Sequence, residues 1–259
     1  MKRERILIVD DNPVNLRLMC MLLEREGYEV ATAPDAVNAL RTLEQFRPRL
    51  VLSDVQLPGM DGLELTRRIK ANPGCADVIV VALTAYATKG DEERALDAGC
   101  DGYISKPVNT RALPRLLREH IEGRRTATPP FGLHAERFID ASIVDLGALS
   151  ERVGTNSELM REIVQIFFDR YPAIMARVQE AVAARNFKEL ERAAHSLRGY
   201  LVNFYATRAS EAARELEIKG RLSDAVNIEE AFSKLQHELD LLTPLLASLQ
   251  RRQAAFVCP

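Results

Sequence analysis

Three carboxylates, one hydroxyl and one ammonium stand where apolar runs end. Asp10 and Asp11 follow Ile6-Leu7-Ile8-Val9, and Asp54 follows Leu50-Val51-Leu52-Ser53. Thr84 follows Val78-Ile79-Val80-Val81-Ala82-Leu83, and Lys106 comes just after Tyr103-Ile104. If each run is a strand of one parallel sheet, all five residues meet at its carboxyl edge, where such sheets hold their ligands. Clustered carboxylates repel one another, which favours a bound cation. Mg²⁺ suits such a site, because it takes hard oxygen ligands and keeps waters and phosphate oxygens in its shell. Adjacent Asp10 and Asp11 allow one direct ligand and one acting through water. Asp54 stands alone, as a carboxylate nucleophile that forms an acyl phosphate would. The metal and Lys106 would neutralise the oxygens of a transferring phosphoryl group. Thr84 could donate to one of those oxygens once Asp54 is modified.

The elements that must position these residues alternate. Apolar helical faces such as Ala36-Ala39-Leu40-Leu43, Leu63-Leu65-Ile69 and Leu113-Leu116-Leu117 lie between the strand runs. Strand-helix alternation of this kind predicts five βα units and a five-stranded, doubly wound parallel sheet over residues 1–122. The text then changes. Gly123 to Gly132 reads Gly-Arg-Arg-Thr-Ala-Thr-Pro-Pro-Phe-Gly, a composition that marks a linker, placed at 123–140. Residues 141–259 carry helical periodicity without a strand. Helices are expected near 145–153, 157–169, 172–184, from Asn186 onward, 207–218 and 228–252. Asn186 and Glu189 form an N-cap pair, and Gly220 is a stop signal. Short turns between the longer helices predict an antiparallel bundle. The fold class is thus α/β followed by all-α.

One residue of the bundle could carry chemistry of its own. In Ala194-His195-Ser196-Leu197-Arg198-Gly199, Leu197 and Leu201 point to the core, so His195 is expected to face solvent. Arg198 and Gly199 lie three and four residues on and share its surface. Glycine inside a helix costs roughly 1 kcal/mol against alanine, and the return is a bare patch that lets a partner approach the ring. Arg198 supplies positive charge for a phosphoryl group there. A neutral, exposed imidazole is nucleophilic near pH 7. The other histidines, His120, His134 and His237, have no comparable setting; His120 and His134 read as surface residues.

Composition excludes several classes. The 259-residue chain has a formal net charge of −2, with 47% hydrophobic and 28% charged residues. That balance gives no basic field for nucleic acid. Cys20, Cys75, Cys100 and Cys258 have no metal-ligand spacing and read as reduced thiols. No apolar run approaches the about 20 residues of a membrane span, and no signal peptide is visible. A cytoplasmic protein is expected.

Residues 5–122 resemble the receiver domain of two-component response regulators, with its flavodoxin-like fold. The resemblance rests on Ile6-Leu7-Ile8-Val9-Asp10-Asp11-Asn12-Pro13, Asp54-Val55-Gln56-Leu57-Pro58-Gly59-Met60-Asp61-Gly62, Leu83-Thr84-Ala85, and Ala98-Gly99-Cys100-Asp101-Gly102-Tyr103-Ile104-Ser105-Lys106-Pro107. It implies Asp54 as phosphoacceptor, with Asp11, Asp54 and the Gln56 backbone carbonyl on Mg²⁺. Asp10 is then the second acidic-pocket residue, Lys106 the phosphate partner, and Thr84 with Tyr103 the switch pair. The bundle resembles the histidine-phosphotransfer (HPt) domain through Ala194 to Gly199, Asn203-Phe204 and Ala213-Leu216-Glu217. That resemblance implies His195 as phosphohistidine site, with Arg198 and Gly199 serving phosphate and docking. Tyr200 and Tyr205 depart from the small residues usual there, which help a receiver dock, so two tyrosines on that face would narrow the partner range or block transfer. The implied partners are a sensor histidine kinase and other receivers. Two arrangements stay open: His195 exchanges phosphoryl groups with a receiver, or receiver phosphorylation gates the bundle. The alternative is a degenerate bundle that docks on a kinase or regulator without transfer.

Overall fold

The computed structural model describes residues 3–84, 89–106, 108, 112–123, 143–153 and 157–254. The expected linker at 123–140 lies outside them apart from Gly123, as do His134 and Cys258. The chain divides into two compact units, Met1–Glu136 and Arg137–Pro259.

The first unit is a sheet of five parallel strands in the order β2-β1-β3-β4-β5. The strands are β1 (Arg5–Val9), β2 (Glu29–Ala33), β3 (Leu50–Asp54), β4 (Ile79–Thr84) and β5 (Gly102–Ser105). Between and after them run α1 (Pro13–Arg25), α2 (Ala36–Phe46), α3 (Gly62–Ala71), α4 (Lys89–Asp97) and α5 (Leu113–Ile121). Strand side chains alternate between faces, and here both faces are covered. Leu7, Val9, Val51, Val80 and Ala82 join one core with Ala39 and Leu43 of α2 and Leu65 and Ile69 of α3. Ile6, Ile8, Leu50, Leu52, Val81 and Leu83 join the other with Leu22 and Leu23 of α1 and Leu113 and Leu117 of α5. Two-sided burial explains why the strands read as unbroken apolar runs rather than alternating ones. The strand order reverses direction between β1 and β3, which opens a crevice beyond their carboxyl ends.

The second unit opens with α6 (Leu146–Val153) and continues with α7 (Ser157–Ala183), α8 (Phe187–Asn203), α9 (Thr207–Leu222) and α10 (Ile228–Ala254). Helices α7 to α10 form the bundle: α8 lies between α7 and α9, and α10 packs against both of those. Two expectations are corrected. The segments 157–169 and 172–184 are one helix with Pro172 inside it. Pro172 is exposed, so the carbonyl it leaves unpaired can turn to water, while buried Phe167, Ile174 and Val178 hold the stripe together across it. Gly220 is not a stop signal. It is buried inside α9, and a Cβ there would stand 2.5 Å from the Glu191 amide nitrogen and 2.8 Å from the Phe187 carbonyl oxygen. It is the point where α9 crosses the backbone of α8. The helix ends three residues later on Ser223, whose φ of 52° is left-handed. Asn186 caps α8 as expected, accepting from the Glu189 amide at 3.2 Å.

No helix among the described residues is long and apolar enough to cross a membrane.

Candidate functional site

The acidic pocket is assembled by strand ends and helix starts. Behind β1 the chain turns at once into α1: Asn12 caps that helix by accepting from the Val14 amide at 2.9 Å, and Pro13 takes its first position. The turn leaves Asp10 fully buried and Asp11 part-exposed. Asp54 closes β3 and is 3% exposed. Behind it, the loop returns so tightly that a Cβ on Gly62 would lie 1.9 Å from the Asp54 carbonyl oxygen. The Gly62 amide donates to the Val55 carbonyl at 2.9 Å. Thr84 closes β4, and the Lys106 amide donates to its carbonyl at 2.7 Å, which brings β5's end beside it.

Oxygens of Asp10, Asp11 and Asp54 lie within 4.8 Å of one another. The Lys106 ammonium spans two of these residues, 2.8 Å from Asp10 Oδ2 and 2.5 Å from Asp54 Oδ2. Burial alone would pull that ammonium down, but the Asp10 and Asp54 carboxylates outweigh it and hold it above the ordinary lysine value. One ammonium among three carboxylates leaves excess negative charge confined beside buried strand ends. The donors are all hard oxygens, so the group fits a divalent cation of the Mg²⁺ or Ca²⁺ kind better than a softer one. Asp54 Oδ1 accepts from the Gln56 amide at 3.1 Å, which fixes the carboxylate's rotation. Tyr103 is half-buried on β5 against the core shared with α2 and α3. Burial and a hydrogen bond donated to the Glu92 carboxylate of α4 push its phenol up.

The structure corrects the expected setting of His195. Its side chain is 16% exposed rather than open to solvent, because Glu217 of α9, fully buried, reaches it. His195 Nδ1 stands 2.9 Å from Glu217 Oε1. A carboxylate there keeps the proton on Nδ1 and leaves the lone pair on Nε2. Arg198 is not a lone positive charge either: its Nε stands 2.8 Å from Glu217 Oε2. Arg221 adds a third contact, Nη2 to Glu217 Oε1 at 3.3 Å, and its Nε also reaches Glu191 at 3.0 Å. Gly199 is part-exposed, and its carbonyl accepts from Asn203 Nδ2 at 2.8 Å. Tyr200 does not stand on the docking face. It is 3% exposed, within the bundle core. Tyr205 lies beyond the end of α8 with φ of 52°.

The other histidines divide. His237 is exposed, but His120, expected at the surface, is half-buried against Gly102. A Cβ on Gly102 would stand 2.3 Å from the His120 ring, so the glycine makes the space the ring fills. Two residues that hold the sites together carried no role in the sequence reading. Glu217 could have been suspected, as a carboxylate at a core position of an amphipathic helix. Asn15, whose amide Nδ2 lies 3.0 Å from both oxygens of Asp10, carried no signal beyond its place in the first turn of α1.

Comparison with known proteins agrees with this division. The family model described as the response regulator receiver domain matches residues 6–118. The Hpt domain model matches residues 162–245. The chain is 41% identical over 112 residues to the polar-differentiation response regulator DivK of Brucella anthropi, covering 89% of that protein and 43% of this one. The DivK of Brucella ovis is 40% identical over the same length, with the same coverage. Among solved structures, a CheY-like response regulator receiver domain protein from Methanospirillum hungatei JF-1 is 38% identical, with a TM-score of 0.44 over 48% of this chain and 97% of that one.

Proposed function

The chain belongs to the response-regulator receiver family and carries an Hpt domain behind its receiver, and from that premise we propose that Asp54 and His195 are its two phosphoryl carriers. Two-component phosphorelay signalling is the setting, with histidine kinases and other relay components as partners. The receiver would occupy 1–122, a linker 123–140 and the HPt-like bundle 141–259, in a cytoplasmic protein.

The observation that carries this reading is the Lys106 bridge between Asp10 and Asp54 inside the acidic cluster. Asp54 is the carboxylate whose neighbours are already arranged for a charged modification. One of its oxygens attacks the phosphorus of a donor phosphohistidine; the P–N bond breaks and the donor imidazole leaves with the electron pair. Lys106 balances charge on the phosphoryl oxygens, and the Thr84 hydroxyl donates to one of them. Asp11, Asp54 and the Gln56 carbonyl would hold Mg²⁺ directly, with Asp10 acting through water. When bound, the ion would supply charge neutralisation at the transferring group. Tyr103 turns into the space Thr84 vacates, which changes the surface around β4, β5 and α5. In the bundle, His195 Nε2 attacks an aspartyl phosphate, the P–O bond breaks, and the receiver's carboxylate leaves. Glu217 holds the Nδ1 proton throughout and stabilises the positive charge the ring acquires. Arg198 and Gly199 form the edge on which a partner receiver rests.

The test is to label the full chain with acetyl phosphate and Mg²⁺ beside Asp54→Ala and His195→Ala. Acyl phosphate is lost in alkali, whereas phosphohistidine survives alkali and is lost in acid. Alkali-labile label that disappears in Asp54→Ala is expected. Alkali-stable label should require His195, and should vanish in Asp54→Ala if transfer is internal. Label that persists in Asp54→Ala with the same stability would overturn the assignment.

A further inference from the structure

We propose that Asn15 sets the cation preference of the acidic pocket by occupying both oxygens of Asp10. The inference rests on reading that pocket as a divalent-cation site. Asp10 is fully buried. Its Oδ1 accepts from the Asn12 amide at 2.9 Å and from Asn15 Nδ2 at 3.0 Å. Its Oδ2 accepts from Asn15 Nδ2 at 3.0 Å and from the Lys106 ammonium at 2.8 Å. A carboxylate offers about four lone-pair sites, so these four contacts take them all. A cation can therefore gain an Asp10 oxygen only by displacing a donor.

The three donors differ in how firmly they are held. The Asn12 amide is backbone, fixed by the cap of α1. Lys106 is shared with Asp54 and has the phosphoryl group as its other task. Asn15 is the side chain that faces both oxygens at once, from the first turn of α1. With Asn15 in place, Asp10 meets a cation through water. That favours an ion that keeps its waters in a small octahedral shell, which is Mg²⁺. Ca²⁺ takes six to eight oxygens, often directly and bidentately, and gains most from a released carboxylate.

The experiment uses the full, unphosphorylated chain and the metals alone. Calorimetry gives Kd for Mg²⁺ and for Ca²⁺ in wild type, Asn15→Ala and Asn15→Ser. The ratio Kd(Ca²⁺)/Kd(Mg²⁺) should fall by about tenfold in both variants, the lower end of what partners around a metal ligand command. In an Asp10→Ala background, Asn15→Ala should leave the ratio where Asp10→Ala put it. An unchanged ratio in both single variants, with circular dichroism like wild type, overturns the proposal. So does equal weakening of both metals, which would mean a structural role only. Wild type that binds neither metal would instead overturn the cation reading of the pocket, and this inference with it.

Discussion

Glu217 shares one buried carboxylate among His195, Arg198 and Arg221. Its separate duties can be told apart by substitution. Glu217→Gln keeps an oxygen for the Nδ1 proton but loses the charge that stabilises a modified ring; transfer from a phosphorylated receiver to His195 should slow by about tenfold. Glu217→Ala loses both, and should slow it by about a hundredfold, by analogy with the carboxylate partners of metal-ligating histidines. Rapid-quench transfer assays measure both, and equal rates in all three proteins would sink the positioning role. Glu217→Ala also removes a fully buried counter-charge from beside Arg198 and Arg221, at a cost on the order of 3 kcal/mol, read by urea unfolding of the bundle.

At the scale of elements, two glycines are placed by backbone crossings. Gly220→Ala would gain roughly 1 kcal/mol in helix propensity, yet its new methyl meets the backbone of Glu191 and Phe187, which cannot rotate away. Overpacking should win, with a net loss of about 1–2 kcal/mol seen as a lower urea midpoint for the bundle. Gly62→Ala forces the Asp54 carbonyl to move. It should depress acetyl phosphate labelling while α3 keeps its amide protection, and unaltered labelling would show the loop can adapt. His120 on α5 ties β5 to pH. Burial pulls its imidazole below the ordinary value of 6.5, although Asp101 and Glu119 pull the other way. A histidine with a depressed folded value gives stability that is complete above its unfolded pKa. That stability is lost as pH falls through about 6.5 toward the lower folded value, because the unfolded chain then binds the extra proton. Protection factors of the β5 and α5 amides, measured against the intrinsic exchange rate at each pH, should therefore fall between about pH 7 and pH 5 by more than they do in His120→Gln. Identical profiles would remove His120 from the account.

At the scale of the whole molecule, each unit closes its own core. The receiver buries both sheet faces under its own helices, and the bundle buries Phe167, Phe204, Leu197 and Leu242 among its own. Two pieces divided between Glu136 and Arg137 should therefore each unfold cooperatively. The first should still label on Asp54 with acetyl phosphate and Mg²⁺, and the second should accept phosphoryl groups from it when the two are mixed. Failure of either piece to unfold cooperatively would show that the units depend on each other.

Some of this was legible in the chain itself. Apolar runs of strand length, each ended by an acidic, hydroxyl or basic residue, determined the parallel sheet and brought Asp10, Asp11, Asp54 and Lys106 to one edge, because backbone periodicity and strand direction are local properties. The cap at Asn186 was legible for the same reason. What only tertiary structure decided were the contacts between elements distant in sequence. His195 looked exposed because its own helix turns it from Leu197, and nothing within α8 announces the Glu217 carboxylate that covers it from α9. Gly220 looked like a helix end because glycine is ambiguous locally; the neighbouring backbone of α8 makes it a crossing. Tyr200 looked like a docking residue because its burial depends on the helices around α8. Asn15 was silent because an asparagine in a first helical turn has many local uses, and only the closed pocket turns its amide onto Asp10.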